Sequence, residues 1–265
     1  MSFSISAIAM PLLPSVMTAS ALVVGATGGI GLEFVRQLLR DSRIAHLFAT
    51  YRSAHTANAL FEMAQQQPER LHCIQMDLSE EAQIEQGVAE IQRIADHLHI
   101  VINCVGLLHS DQQQPEKALR QLNADNLIRY FQVNSIGPAL LAKHLLPLLK
   151  HKEPSLFATI SAKVGSIGDN RLGGWYGYRA SKAALNMFLK TAAIEYSRRS
   201  PHTTIVILHP GTTDTQLSQP FQRGVRPEKL FSPERTVSQL MDVLTGVNPS
   251  DSGEFFSWDG SRLPW

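Results

Sequence analysis

Short, almost wholly apolar runs alternate along this chain with longer stretches of helical periodicity. No other feature of the sequence constrains the fold as strongly. The runs fall at 21–24, 45–50, 71–76, 100–103, 156–160, 204–208 and 254–257. Between them lie helical patterns near 30–40, 55–67, 80–97, 121–150, 176–199 and 233–245. A strand that is apolar at successive positions must be buried on both faces, as in a parallel sheet covered by helices. Right-handed crossovers then point to an α/β fold: a doubly wound parallel sheet of about seven strands with helices on both faces. Two long irregular segments, 162–175 and 210–232, follow the ends of the fifth and sixth runs. In open sheets of this kind ligands bind outside the carboxyl ends of the strands. Loops of this length in a compact domain are usually functional.

No internal repeat, low-complexity tract or linker divides the 265 residues, so one domain is expected over 19–265. The preceding 1–18 reads as an N-terminal extension, disordered or upstream of a natural start at Met17. The first 32 residues contain no charged residue and no histidine, which invites an export or membrane reading. A signal peptide needs a basic start, and Pro11 and Pro14 interrupt the apolar run well short of the ~20 residues a bilayer span requires. The formal charge of +1 gives no electrostatic footprint for nucleic acid or an anionic membrane surface. Cys73 and Cys104 both lie in apolar strand-like runs, which excludes a disulfide scaffold and fits a reducing, cytoplasmic setting.

Gly25, Gly29 and Gly31 form a GxxxGxG turn between the first strand and the first helix. Such a turn lets the backbone approach a pyrophosphate and aims helix N–H groups at it. Tyr178 and Lys182, four residues apart, share one helix face. An ammonium beside a phenol favours the phenolate, so this pair is expected to lower the tyrosine pKa for proton transfer. These motifs occur in order with Asn103-Cys104-Val105-Gly106, Asn134, and the Pro210–Thr215 loop.

Together they resemble the short-chain dehydrogenase/reductase family over about 19–260. The stretches at 164–167, 173–176 and 258–265 are similar to its C-factor and sniffer-type carbonyl reductases. The resemblance implies a single Rossmann-type domain that passes hydride between a nicotinamide cofactor and a carbonyl/alcohol pair. Tyr178 matches the general acid/base and Lys182 the lysine that holds the nicotinamide ribose. Asn134 matches the residue that positions a water in the proton relay. Gly25, Gly29, Ile30 and Gly31 match the pyrophosphate turn, and Asp77 with Leu78 the adenine contact. Asn103 and Gly106 match the segment beside the adenine ribose; Pro210, Gly211, Thr213 and Thr215 match the carboxamide loop. A homodimer or homotetramer is implied through the helices at 139–149 and 183–196.

The chain departs from the family pattern in places. Val24 stands before the first glycine where threonine is usual, and NNAG reads NCVG. The ungapped alignment puts Ala162 at the catalytic serine; strand alternation turns Ser161 away from the substrate unless a bulge re-aims it. Ser161 is nonetheless taken as the expected carbonyl-polarising residue, with Ser166 as the next candidate. After the second strand no acid is present to bind the adenosine ribose hydroxyls. Arg52 is there instead and suits a 2′-phosphate, so NADP(H) is expected over NAD(H). The ten histidines are scattered; His97 and His99 lack a carboxylate or cysteine at ligand-like spacing, so no metal is expected. The alternative to turnover is a nucleotide-binding signalling or sensor protein of the C-factor kind, which Ala162 favours and the Tyr178, Lys182 and Asn134 set opposes.

Overall fold

The computed structural model describes residues 12–265. Its main sheet holds seven parallel strands in the order β3-β2-β1-β4-β5-β6-β9. These are β1 (Ala19–Val24), β2 (Ile44–Tyr51), β3 (Leu71–Gln75), β4 (Ile100–Asn103), β5 (Ser155–Ile160), β6 (Thr203–His209) and β9 (Glu254–Ser257). Two short strands, β7 (Thr212–Thr213) and β8 (Leu230–Phe231), pair with each other beyond the sheet. The helices are α1 (Gly29–Leu39), α2 (Asn58–Gln66), α3 (Glu81–Gln92), α4 (Ala124–Phe131), α5 (Gly137–Leu149), α6 (Tyr176–Arg199) and α7 (Pro233–Gly246). The apolar runs thus became buried parallel strands, as their composition requires.

Each face of the sheet has its own core. Val23 of β1, Phe34 of α1, Leu60 of α2 and Val237 of α7 meet on one side. Leu22 of β1, Ile84 of α3, Leu141 of α5 and Leu185 of α6 meet on the other. Alternate residues of one strand feed opposite cores, so both layers of helices are fixed by the same short runs. The sheet order reverses between β1 and β4, and the crevice over that point is where the site lies.

Four expectations change. The stretch 121–150 is not one helix. Pro138 has no N–H to return to the carbonyl of Asn134, and the chain passes through a π turn at Gln132–Ile136 between α4 and α5. The Gly137 N–H donates five residues back, to Gln132. The helix expected to 97 ends at Gln92, and the one expected from 55 begins with a single 3₁₀ turn. Residues 12–18 do not stand apart from the domain. Leu12 and Val16 are buried in the first core, and Arg43 donates to the carbonyls of Leu13 and Val16 at 3.3 and 3.4 Å. Residues 1–11 of the expected extension lie outside the described residues. Among the described residues, no helix is long and apolar enough to cross a membrane.

Candidate active site

Three cavities lie at the carboxyl ends of the strands. One of about 600 Å³ follows the glycine turn and is bordered by Gly25, Gly29, Ile30 and Gly31. One of about 390 Å³ is bordered by Arg52, Asp77 and Arg129. The third, about 210 Å³ and largely apolar, reaches Tyr178, Lys182, Ser161, Pro210, Gly211, Thr213 and Thr215. Ile30, Cys104, Gly106, Thr215 and Leu217 border both the first and the third, so those two are continuous.

The glycine turn is built by close approach. A Cβ on Gly31 would stand 2.1 Å from the Gly25 carbonyl oxygen, so α1 can begin against the turn only if that position is bare. Gly25 has φ +79°, and its N–H donates to the Thr50 hydroxyl at 3.0 Å. Gly29 opens α1 against the Thr215 side chain. Asp77 accepts from the Ser79 N–H and hydroxyl at 2.9 and 2.8 Å, leaving it at the rim beside Arg52. Leu78 is buried, and its carbonyl lies against Gly137. Asn103 is fully buried, its Oδ1 accepting from the Val105 N–H at 3.1 Å to shape the turn after β4. Thr213 shares a hydrogen bond with Thr236 at 2.9 Å.

Tyr178 and Lys182 are both buried and adjacent on α6, the Lys182 Nζ lying 5.9 Å from the phenol ring centre. The ammonium donates to the Ile160 carbonyl at 3.1 Å. Burial dominates both groups. It pushes the Tyr178 phenol up, with Tyr130 adding to the effect, and pulls Lys182 down to about 8. The expected lowering of the tyrosine by its neighbour is therefore overridden by enclosure. Gly106 lets the backbone after β4 pass close to the Lys182 ammonium, where a Cβ would stand 3.5 Å from Nζ.

The Asn134 side chain is fully engaged. Its Oδ1 accepts from Leu107 N–H at 2.7 Å, and its Nδ2 donates to the Leu107 carbonyl and to Ser181 Oγ at 2.8 and 3.0 Å. Any part it takes in a proton relay falls to its main-chain carbonyl, which Pro138 leaves without the usual helical donor. Ser161 borders the third cavity, but its hydroxyl is engaged elsewhere. Its hydroxyl donates to Asn186 Oδ1 at 2.7 Å, toward α6, while Ala162 packs against the cluster of Leu108, Tyr130 and Tyr178. Strand alternation, without a bulge, decided this. Ser166 is buried, and its oxygen accepts from the Asp169 N–H at 3.1 Å.

Other residues of the site gave little sign of themselves in the sequence. Trp175 has φ +54° and precedes α6 with its ring against Tyr178 and Phe221, at centre separations of 6.2 and 5.0 Å. The Gly173-Gly174 pair before it was the available signal of a left-handed entry. Glu116 is buried and accepts from the Gly177 N–H at 3.1 Å, holding a carboxylate at the start of α6. His209 borders the third cavity. Cys104 also borders it, and burial pushes its thiol up, so it fills volume rather than reacting.

Folding gives His99 the carboxylate partner its sequence neighbourhood lacked: His99, His151 and Glu153 come together at the opposite end of β4. Hydrogen bonding commits two of those rings. His99 Nδ1 accepts from the Ser20 N–H at 3.1 Å, which places its proton on Nε2, toward Glu153 at 2.9 Å. His151 Nε2 donates to the Leu98 carbonyl at 2.8 Å. Only one free ring lone pair remains there, at His151 Nδ1, too few for a tetrahedral ion.

The short chain dehydrogenase family model matches residues 19–225. An NADPH-bound carbonyl reductase from chicken fatty liver superposes with a TM-score of 0.83 at 28% identity, covering 94% of this chain and 99% of that one. The carbonyl reductase Sniffer of Drosophila melanogaster gives 0.82 at 26% identity, covering 94% and 100%. The C-signal protein of Myxococcus xanthus is 32% identical over 148 residues, 56% of this chain and 84% of that protein. With its glycine turn, switch-point crevice and buried Tyr178/Lys182 pair in this setting, the chain belongs to the short-chain dehydrogenase/reductase family, among its sniffer- and C-signal-like members.

Proposed function

We propose that this protein is an NADPH-dependent carbonyl reductase with Tyr178 as its general acid. The observation that carries the reading is the buried Tyr178/Lys182 pair in an apolar cavity continuous with the glycine-turn cavity. The residues present suit a dinucleotide. The bare Gly31 lets α1 start tight against the glycine turn, so its N-terminal N–H groups stand at the turn. No acid follows β2 near Arg52, which borders the outer cavity. Gly25, Gly29, Ile30 and Gly31 would hold the pyrophosphate; Asp77, Leu78, Asn103 and Gly106 the adenosine; Pro210, Gly211, Thr213 and Thr215 the carboxamide. Arg52 would pair with a 2′-phosphate. When bound, the reduced cofactor supplies the hydride.

Tyr178 delivers a proton to the carbonyl oxygen as that oxygen gains charge. Lys182, anchored on the Ile160 carbonyl, keeps a positive charge near the phenol and so favours proton loss from it. Trp175, Leu108 and Val164 present apolar surface, which suits an uncharged carbonyl compound and keeps water off the reacting carbon. The outer face of α6 exposes Met187, Phe188 and Ile194, where a second copy would pack to form a homodimer or homotetramer. Two free thiols suit the cytoplasm as the working compartment.

The test is NADPH oxidation with a panel of aldehydes, ketones and quinones, followed by Tyr178→Phe. Turnover should fall about 10²–10⁴-fold in the variant while NADPH affinity stays within a few-fold. A variant retaining half of wild-type activity removes Tyr178 from its role. A signalling role without turnover is the second reading, favoured by Ala162 and by the likeness to C-signal. NADPH binding with no turnover of any carbonyl would support it.

A further inference from the structure

The backbone entering α6 is left-handed for three residues in a row. Gly173, Gly174 and Trp175 have φ of +63°, +66° and +54°. Glycine takes this conformation freely, whereas a residue with a Cβ pays for it. A third glycine would serve the turn without strain, yet the chain carries a tryptophan there. Hydrogen bonds hold the conformation from both sides. The Trp175 N–H donates to the Glu116 carbonyl, and the Trp175 carbonyl accepts from the Arg179 N–H at 2.8 Å. The Arg179 guanidinium donates to the carbonyls of Gly174, Gly173 and Val164 at 2.9, 3.2 and 3.3 Å, which ties the turn to the start of the loop after β5. Strain held this firmly clusters at functional sites.

The side chain so held stands at the cavity of Tyr178. The indole borders that cavity, its centre 6.2 Å from the Tyr178 ring with the two planes at 77°. Phe221, from the loop after β6, meets the indole edge to face at 5.0 Å. Phe221 also packs on His109 at 5.6 Å, and His109 Nε2 lies 3.1 Å from the Gln216 carbonyl. Trp175 is therefore where the two long loops meet, beside the proton donor. Leu108, Val164 and Leu217, other apolar residues bordering the space, are much smaller. A dry cavity of ~150 Å³ accommodates one benzene, so about 210 Å³ suits a one-ring substituent better than two fused rings.

We propose that Trp175 is the specificity-determining residue of this site: its indole limits the substrate to compact, uncharged aldehydes and ketones with no more than one ring beside the carbonyl. This rests on the carbonyl-reductase reading above. A ring pinned through its own backbone cannot swing aside as a flexible side chain would, so bulk is rejected by a clash rather than bound weakly.

The experiment compares wild type with Trp175→Ala, Trp175→Gly, Trp175→Phe and Leu172→Ala. The probes are benzaldehyde and 2-naphthaldehyde with NADPH, and the readout is the ratio of their kcat/KM values. A thermal melt and a fluorescence titration of NADPH report on folding and cofactor binding. Wild type should favour benzaldehyde. Trp175→Ala should move the ratio toward 2-naphthaldehyde by about 10–200-fold, with NADPH affinity within a few-fold of wild type. Alanine still has to adopt the positive φ. Should that variant fail to fold, Trp175→Gly removes the same indole without the strain and should move the ratio equally. Trp175→Phe keeps a ring and should stay closer to the wild-type ratio. Leu172, 93% exposed in the same loop, is the control, and Leu172→Ala should leave the ratio unchanged. A merely structural defect would lower both rates together and leave the ratio alone. The proposal is overturned if wild type reduces both aldehydes equally well, or if Trp175→Gly keeps the wild-type ratio. Activity on other carbonyls with none on benzaldehyde overturns it too, because the cavity then rejects the class assigned to it. Wild-type protein that reduces no carbonyl at all overturns the reductase reading itself, and this inference with it.

Discussion

Replacing Gly31 by alanine should damage the fold, whereas the same change at Gly28, three residues earlier, should not. At Gly31 the new Cβ would lie 2.1 Å from the Gly25 oxygen, 3.0 Å from the Gly25 carbonyl carbon and 3.2 Å from the Ala26 Cα. An ordinary C···O contact is more than about 3 Å, so α1 and the turn must separate by roughly 1 Å. Neither side yields easily. The turn is tied to β2 through Gly25 and Thr50, and α1 is wedged on the sheet by the fully buried Phe34 and Val35. Overpacking of this kind costs about 1–3 kcal/mol, and the overlap with backbone atoms puts Gly31→Ala at the upper end. Alanine's better helix propensity returns at most about 1 kcal/mol. A net loss of about 2 kcal/mol should lower the melting temperature by roughly 4–8 °C in a domain of this size. NADPH affinity should fall too, because the displaced helix carries the N–H groups of the turn. Gly28 has φ −176°, an extended conformation open to any residue, and a Cβ there meets nothing within 4 Å. Its melt should match wild type. Differential scanning calorimetry of the two variants decides the matter. Equal melting temperatures for Gly31→Ala and wild type would refute the close-approach argument.

Two more expectations concern charge. An unfolded His209 takes up a proton near pH 6.5, whereas the folded ring stays neutral down to about 4, so its contribution to stability is lost as pH falls between those values. The loss amounts to at most about 3 kcal/mol, less to the extent that the ring edge meets water. Urea midpoints at pH 7 and pH 4.5 should therefore diverge less in His209→Gln than in wild type, and an identical divergence would clear His209 of the effect. Arg52→Ala should weaken NADPH binding roughly ten- to hundredfold and NADH binding far less. Equal loss of both cofactors in a fluorescence titration would make Arg52 merely structural.

The sequence by itself determined the frame. Apolar runs such as 100–103 and 254–257 could only be strands buried on both faces, and both have the expected bounds in the structure. The glycine turn, the Tyr178/Lys182 face and the loops after β5 and β6 are local patterns. Their meaning depends on the few residues that share a turn or a strand end, so they were legible in order along the chain. The break at Pro138 was equally written in the sequence, but the long helical periodicity of 121–150 masked it.

Tertiary structure alone decided what depends on distant partners. The side of β5 that Ser161 faces matters only because Asn186, 25 residues on, lies beneath it. Glu116 is a buried carboxylate only because the start of α6, 61 residues away, comes to meet it. His99 and Glu153 are 54 residues apart and meet at one end of the sheet. The effect of burial on Tyr178 and Lys182 belongs to this class as well. Spacing on a helix shows that the two groups are neighbours, but the dielectric around them is set by every element that packs over the site. Local pattern follows from the stereochemistry of a few consecutive residues; solvation and pairing follow from the whole fold.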